Sequence, residues 1–99
     1  ILQTAGDLYI TNSADGKDII FQSDDGSGGV ATYFKIDPAS DATQFTKRIY
    51  LQDNVKALFG NSSDLQIYHD GSDSYVKDTG TGDLRIDTSK LRVRRCFNI

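Results

Sequence analysis

Glutamate is missing from this 99-residue chain, as are methionine and tryptophan, and there is one cysteine, one proline and one histidine. Each shortage excludes something. With no Glu, all 14 acidic residues are Asp, whose short carboxylate competes with helical hydrogen bonding and suits turns. Long helix-favouring runs of Ala, Leu, Glu and Lys do not occur. A single cysteine, Cys96, rules out an internal disulfide framework and any multi-cysteine zinc site, leaving packing and backbone pairing to hold the fold. No apolar run approaches the roughly 18 residues of a membrane span, which argues against membrane insertion. The net charge of −3 gives no electrostatic case for nucleic acid or an anionic membrane as partner.

What is present points to β structure. Leu, Ile, Val and Phe number 25, enough for a core, and nine Gly supply turns. A chain this short makes one domain at most and buries only about 60–65% of the surface its unfolded form exposes, so a partner chain would help it. With Ile first and no Met anywhere, it reads as a segment of a longer polypeptide.

Apolar residues recur at period two in nine short bursts, the pattern of half-buried strands. The bursts are DLYIT (7–11), DIIFQ (18–22), VATYFKI (30–36), FTKRIYL (45–51), VKALF (55–59), DLQIYH (64–69), SYVK (74–77), DLRI (83–86) and LRVR (91–94). Alternation puts Leu8 and Ile10 on one face, and Val30, Thr32, Phe34 and Ile36 on another. Pro38 ends the third burst, and DPASDAT is the one stretch suited to a helical turn. Short strands at regular spacing predict an all-β fold.

A repeat runs through this pattern. QTAGDLYI (3–10) aligns with TGTGDLRI (79–86) at an offset of 76, and SDLQI (63–67) is a third copy of its core. Three segments follow: 1–11 as the end of one repeat, 12–57 as a variable β segment, and 58–94 as the next repeat unit. Strands with only two inward apolar residues make a sparse core from one copy and leave exposed edges. Three chains about a common axis cure both, with Leu8, Ile10, Leu65, Ile67, Leu84, Ile86, Leu91 and Val93 facing the axis and the acidic Gly/Ser turns projecting outward.

The stretch LFGNSSDLQIYHDGSDSYVKDTGTGDLRI (58–86) resembles repeats of tail-fibre and virion structural proteins of bacteriophages, marine and cyanobacterial ones especially. Those segments look like G-x-x-x-D-L-x-I-Y-H-D-G-S-x-S-Y-I-x-D-x-G-x-G-x-L-x-I, matched here at Gly60, Asp64, Leu65, Ile67, Tyr68, His69, Asp70, Gly71, Ser72, Ser74, Tyr75, Asp78, Gly80, Gly82, Leu84 and Ile86. Val76 stands where Ile is usual. The resemblance implies an intertwined homotrimer, a β-prism or triple-β-helix-like fibre segment in the virion. It further implies attachment to a host surface, with a bacterial glycan or protein as receptor, and neither enzymatic activity nor a cofactor.

The chemical candidates are few. His69 shares the strand face of Leu65 and Ile67, and three copies on a threefold axis could bind a transition metal or an anion. The plainer expectation is a hydrogen bond from His69 to backbone at a strand end beside the HDGS turn. Asp70 follows His69 directly, so their side chains diverge, and no G-x-S-x-G elbow exposes a serine. Neither SDDGSGG nor DGSDS fits the calcium-loop frame with its distal Glu, and GSGG lacks the Lys and helix of a phosphate loop. Lys90, Arg92 and Arg94 line one side of a strand, as edge protection first and polyanion binding as the lesser alternative. Tyr9, Tyr33, Tyr50, Tyr68 and Tyr75 could stack on sugar rings where exposed, which keeps open a monomeric carbohydrate-binding β-module as the alternative.

Overall fold

Eight strands and one 3-10 turn make up the computed structural model, which describes residues 2–95, so that Cys96 lies outside the described residues. The strands are β1 (Leu2–Thr4), β2 (Asp7–Tyr9), β3 (Ile19–Asp24), β4 (Val30–Asp37), β5 (Ala42–Phe45), β6 (Ala57–Phe59), β7 (Leu65–His69) and β8 (Ser74–Asp78). All pairings are antiparallel, and the fold is all-β. The chain divides between Tyr50 and Leu51 into two units.

The first unit holds the β1–β2 ribbon and the sheet β3–β4–β5. A two-residue turn joins β1 to β2, with Ala5 at φ 53° and Gly6 at φ 93°, the double positive φ whose twist matches that of the strands. In the sheet, Phe21 opposes Phe34 and Phe34 opposes Phe45, so three rings stack across it with centroids 4.4 and 5.5 Å apart. Ile19 and Ile36 pair beside them on the same face. Such cross-strand aromatic pairs stabilise the sheet.

A β-bulge corrects the expected single face of the third burst. The pairing shifts between Phe21/Phe34 and Gln22/Thr32, leaving Tyr33 as the extra residue. Thr32 therefore lies on the face opposite Phe34, where its hydroxyl accepts from Gln22 Nε2 at 3.3 Å. Val30 goes with Thr32, and only Phe34 and Ile36 remain with the phenylalanines. The bulge also ends the β4–β5 ladder at Phe34/Phe45: Thr46 N–H bonds to the Tyr33 carbonyl and its hydroxyl to that of Thr32. The expected strand over 45–51 is displaced to Ala42–Phe45 for this reason.

DPASDAT does form a helical turn. Asp37 caps Pro38–Ser40 by accepting from the Ala39 and Ser40 amides, and Asp41 at φ 51° turns the chain back into β5.

In the second unit, Ala57 opposes Ile67, which opposes Val76, and Phe59 opposes Leu65. These five side chains share one face with His69 and Ser74, while Leu58, Gln66, Tyr68, Tyr75 and Lys77 occupy the other. After β8 the Thr79 N–H donates to the Asp64 carbonyl (2.8 Å) and the Gly80 N–H to the Asp78 carboxylate (2.8 Å). Beyond Gly80 the described chain contains no strand. The expected strands DLRI and LRVR are corrected accordingly: with no partner to complete a ladder, alternation alone does not make a strand.

Among the described residues none is buried, polar or apolar. Each sheet is a single layer whose apolar face lies open.

Two glycines separate backbone geometry from space. Gly71 sits at φ 99°, where a Cβ is strained, whereas Gly82 has an ordinary φ and open space around it. Gly71→Ala should cost about 1–2 kcal/mol, read as a lowered urea midpoint, and Gly82→Ala should leave the midpoint unchanged or slightly raised.

Candidate functional site

The densest polar cluster lies where β7 turns into β8. Asp70 follows the last residue of β7 and faces the turn it closes: the Ser72 and Asp73 amides donate to its Oδ1 (2.9 and 2.8 Å), and the Tyr75 hydroxyl donates to Oδ2 (2.8 Å). The Asp70 N–H in turn donates to the Asp73 carbonyl at 3.0 Å. These donors, the Asp73 and Ser72 amides foremost, hold the Asp70 carboxyl down at about 2. The same contact pushes the Tyr75 hydroxyl up to about 12, since losing its proton would set two anions side by side.

Tyr75 also stacks on its cross-strand neighbour Tyr68, centroids 4.6 Å apart, and Lys56 Nζ sits 4.6 Å above the Tyr68 ring. Both tyrosines are half-buried. The β6–β7 register, which pairs Ala57 with Ile67, continues to set Lys56 beside Tyr68. Sequence reading missed this lysine; counting back from the hairpin pairing is the signal that finds it.

His69 and Ser74 are cross-strand partners, and His69 Nδ1 lies 2.8 Å from Ser74 Oγ. The histidine thus meets a side chain at the strand end, where a backbone contact was the expectation. Its carbonyl accepts from the Asn54 amide at 2.7 Å, tying the turn before β6 to the end of β7.

The acidic loop after β3 consumes its own carboxylates. Asp24 Oδ2 accepts from the Gly26 amide (2.7 Å), and Asp25 Oδ1 from the Ser27 and Gly29 amides (2.7 and 3.1 Å). An open depression of about 350 Å³ beside the capped turn is lined by Ile36, Asp37, Pro38, Asp41, Ala42 and Thr43. Its Asp37 is likewise engaged, by Ser40 Oγ and Gln44 Nε2 as well as the cap amides, and the Ser40 hydroxyl foremost lowers its pKa. Among the described residues no group of three or more His, Cys, Asp or Glu is placed to hold a metal ion.

The eight residues read as axis-facing are all open to contact. Leu65 and Ile67 share the apolar face of the second unit, Leu65 half-buried and Ile67 exposed. Leu8 lies in β2 and Ile10 just beyond it, both exposed, and Leu84, Ile86, Leu91 and Val93 are exposed outside any strand. Of the tyrosines, Tyr68 and Tyr75 come together. Tyr50 stands 84% exposed, whereas the Tyr33 hydroxyl is tied to the Asp24 carbonyl (3.1 Å) beneath Lys47.

The Asp70–Tyr75 contact sets a pH window. Asp70 is depressed from 3.8, so its contribution is complete above about pH 4 and lost as pH falls through about 2. Tyr75 is raised from 10.0, so its contribution is complete below about pH 10 and lost as pH rises through about 12. In an NMR titration the Tyr75 ring should ionise near 12, and Asp70→Asn should bring that transition back toward 10.

Comparison of the chain with protein-family models, curated proteins and solved structures returns no match, so its functional reading rests on its own residues and geometry.

Proposed function

We propose that this chain is a structural and adhesive segment of a β-rich fibre in which three copies share one core, in the manner of the bacteriophage tail-fibre repeats that residues 58–86 resemble. One observation carries the reading: none of the described residues is buried, while twenty large apolar and aromatic side chains stand exposed.

The distribution of that surface favours more than two chains. A twofold dimer uses one self-complementary patch, whereas a ring of three brings two different patches of each chain into contact. This chain offers separate apolar faces on its two units, Ile19/Phe34/Ile36 on one and Phe59/Leu65/Ile67/Val76 on the other. Within such a fibre the rigid Asp-closed turns face outward, and exposed aromatics such as Tyr50 are available to a bacterial surface glycan or protein. A monomeric carbohydrate-binding module would need a core of its own beneath its tyrosines.

Light scattering should return about 33 kDa, three times the 10.9 kDa of the chain. A stable 10.9 kDa species at all concentrations would overturn the proposal. Ile67→Asp, placing a charge on the open face of β7, should weaken assembly at least about tenfold in midpoint concentration.

A further inference from the structure

The two copies of the internal repeat have different structures. In QTAGDLYI the pair Ala5–Gly6 adopts positive φ twice and closes Asp7–Tyr9 onto Leu2–Thr4. The counterparts in TGTGDLRI are Thr81 and Gly82, and neither has positive φ. A β-branched residue resists that conformation, so the same turn does not close. The residues matching β1 are occupied elsewhere, Thr79 by the Asp64 carbonyl and Gly80 by the Asp78 carboxylate. Asp83–Ile86 is thus a strand-competent sequence with no strand partner among the described residues, and the alternating LRVR that follows shares its condition.

Charge separates this stretch from the rest. Residues 83–95 carry five cations and two carboxylates, net +3, whereas residues 1–82 carry six cations and twelve carboxylates, net −6. The natural complement of the basic segment is therefore the acidic body of another copy. Single-layer sheets supply free edges there, and β3 is the longest edge strand, six residues ending in Asp24 with Asp25 following. An edge of unpaired N–H and C=O groups accepts an added strand through main-chain hydrogen bonds, with side-chain charges setting the choice of partner.

We propose that residues 90–94 are a donor strand, paired in the assembly with the β3 edge of a neighbouring copy of this chain. Leu91 and Val93, 64% and 57% exposed in the single chain, extend the neighbour's apolar face beside Ile19 and Phe21, while Lys90, Arg92 and Arg94, on the other side of the same strand, meet its carboxylates. The basic residues that guard against indiscriminate pairing also select the acidic partner.

Hydrogen exchange on the full chain, read at high and low concentration, tests this. In the assembled chain, amides of 91–93 and β3 should exchange at least about tenfold more slowly than in the diluted chain. Added salt, or the triple variant Lys90→Glu, Arg92→Glu and Arg94→Glu, should raise the midpoint concentration of assembly about tenfold or more, because screening or reversal removes the attraction. The inference rests on the self-association proposed above, and a chain monomeric at every concentration overturns both. Assembly with a freely exchanging 91–93 segment, protection equal in dilute monomer, or unimpaired assembly of the triple variant overturns the donor strand alone.

Discussion

A carboxylate reaching the backbone N–H two residues ahead is the interaction on which the rest of this structure depends. Asp24 holds Gly26, Asp25 holds Ser27, Asp37 holds Ala39, Asp70 holds Ser72 and Asp78 holds Gly80, while Asn12 does the same for Ala14. In most small β folds a buried face fixes strand register, because a slip by one residue would turn the apolar side outward. Here no described residue is buried, so that constraint is weak and the turns carry it. The missing glutamate acquires a geometric meaning in this light. One more methylene would carry the carboxylate past the amide two residues on, and the ring that closes each turn would be lost.

The strands that the sequence made legible are those whose partner lies across a short turn. DIIFQ, VATYFKI, DLQIYH and SYVK each fall within one or two residues of β3, β4, β7 and β8, because alternation and an Asp–Gly turn agree about them. The face of Val30 and Thr32 was not legible: a bulge inserts one residue without any compositional mark beyond Tyr33 itself. FTKRIYL was misplaced because its limit is set by that bulge on the neighbouring strand, a non-local cause. DLRI and LRVR have the right alternation, but a strand is a relation between two segments, and alternation describes only one of them.

The candidate site was legible by the same rule. That Leu65, Ile67 and His69 share a face follows from period two, and the register bears it out. The role of Asp70 as a turn closer follows from the Asp–Gly pair. Its bond to Tyr75 and the position of Lys56 over Tyr68 depend on cross-strand pairing between segments five and twelve residues apart, which spacing suggests only once the hairpins are known. The depression at Asp37 and Asp41 left no sequence signal apart from the Pro38 turn that creates it.

The contrast between Ala5 and Thr81 reaches beyond this one chain. Two copies of a repeat, alike at Gly, Asp, Leu and Ile, differ in whether they fold back, and the residue before the glycine is the steric cause. A repetitive protein can therefore diversify its copies by point substitution at a single turn position, keeping the strand sequences and changing only which of them close locally. The grammar of such an array resides in its turns, and drift in the residue preceding each glycine is enough to rewrite it.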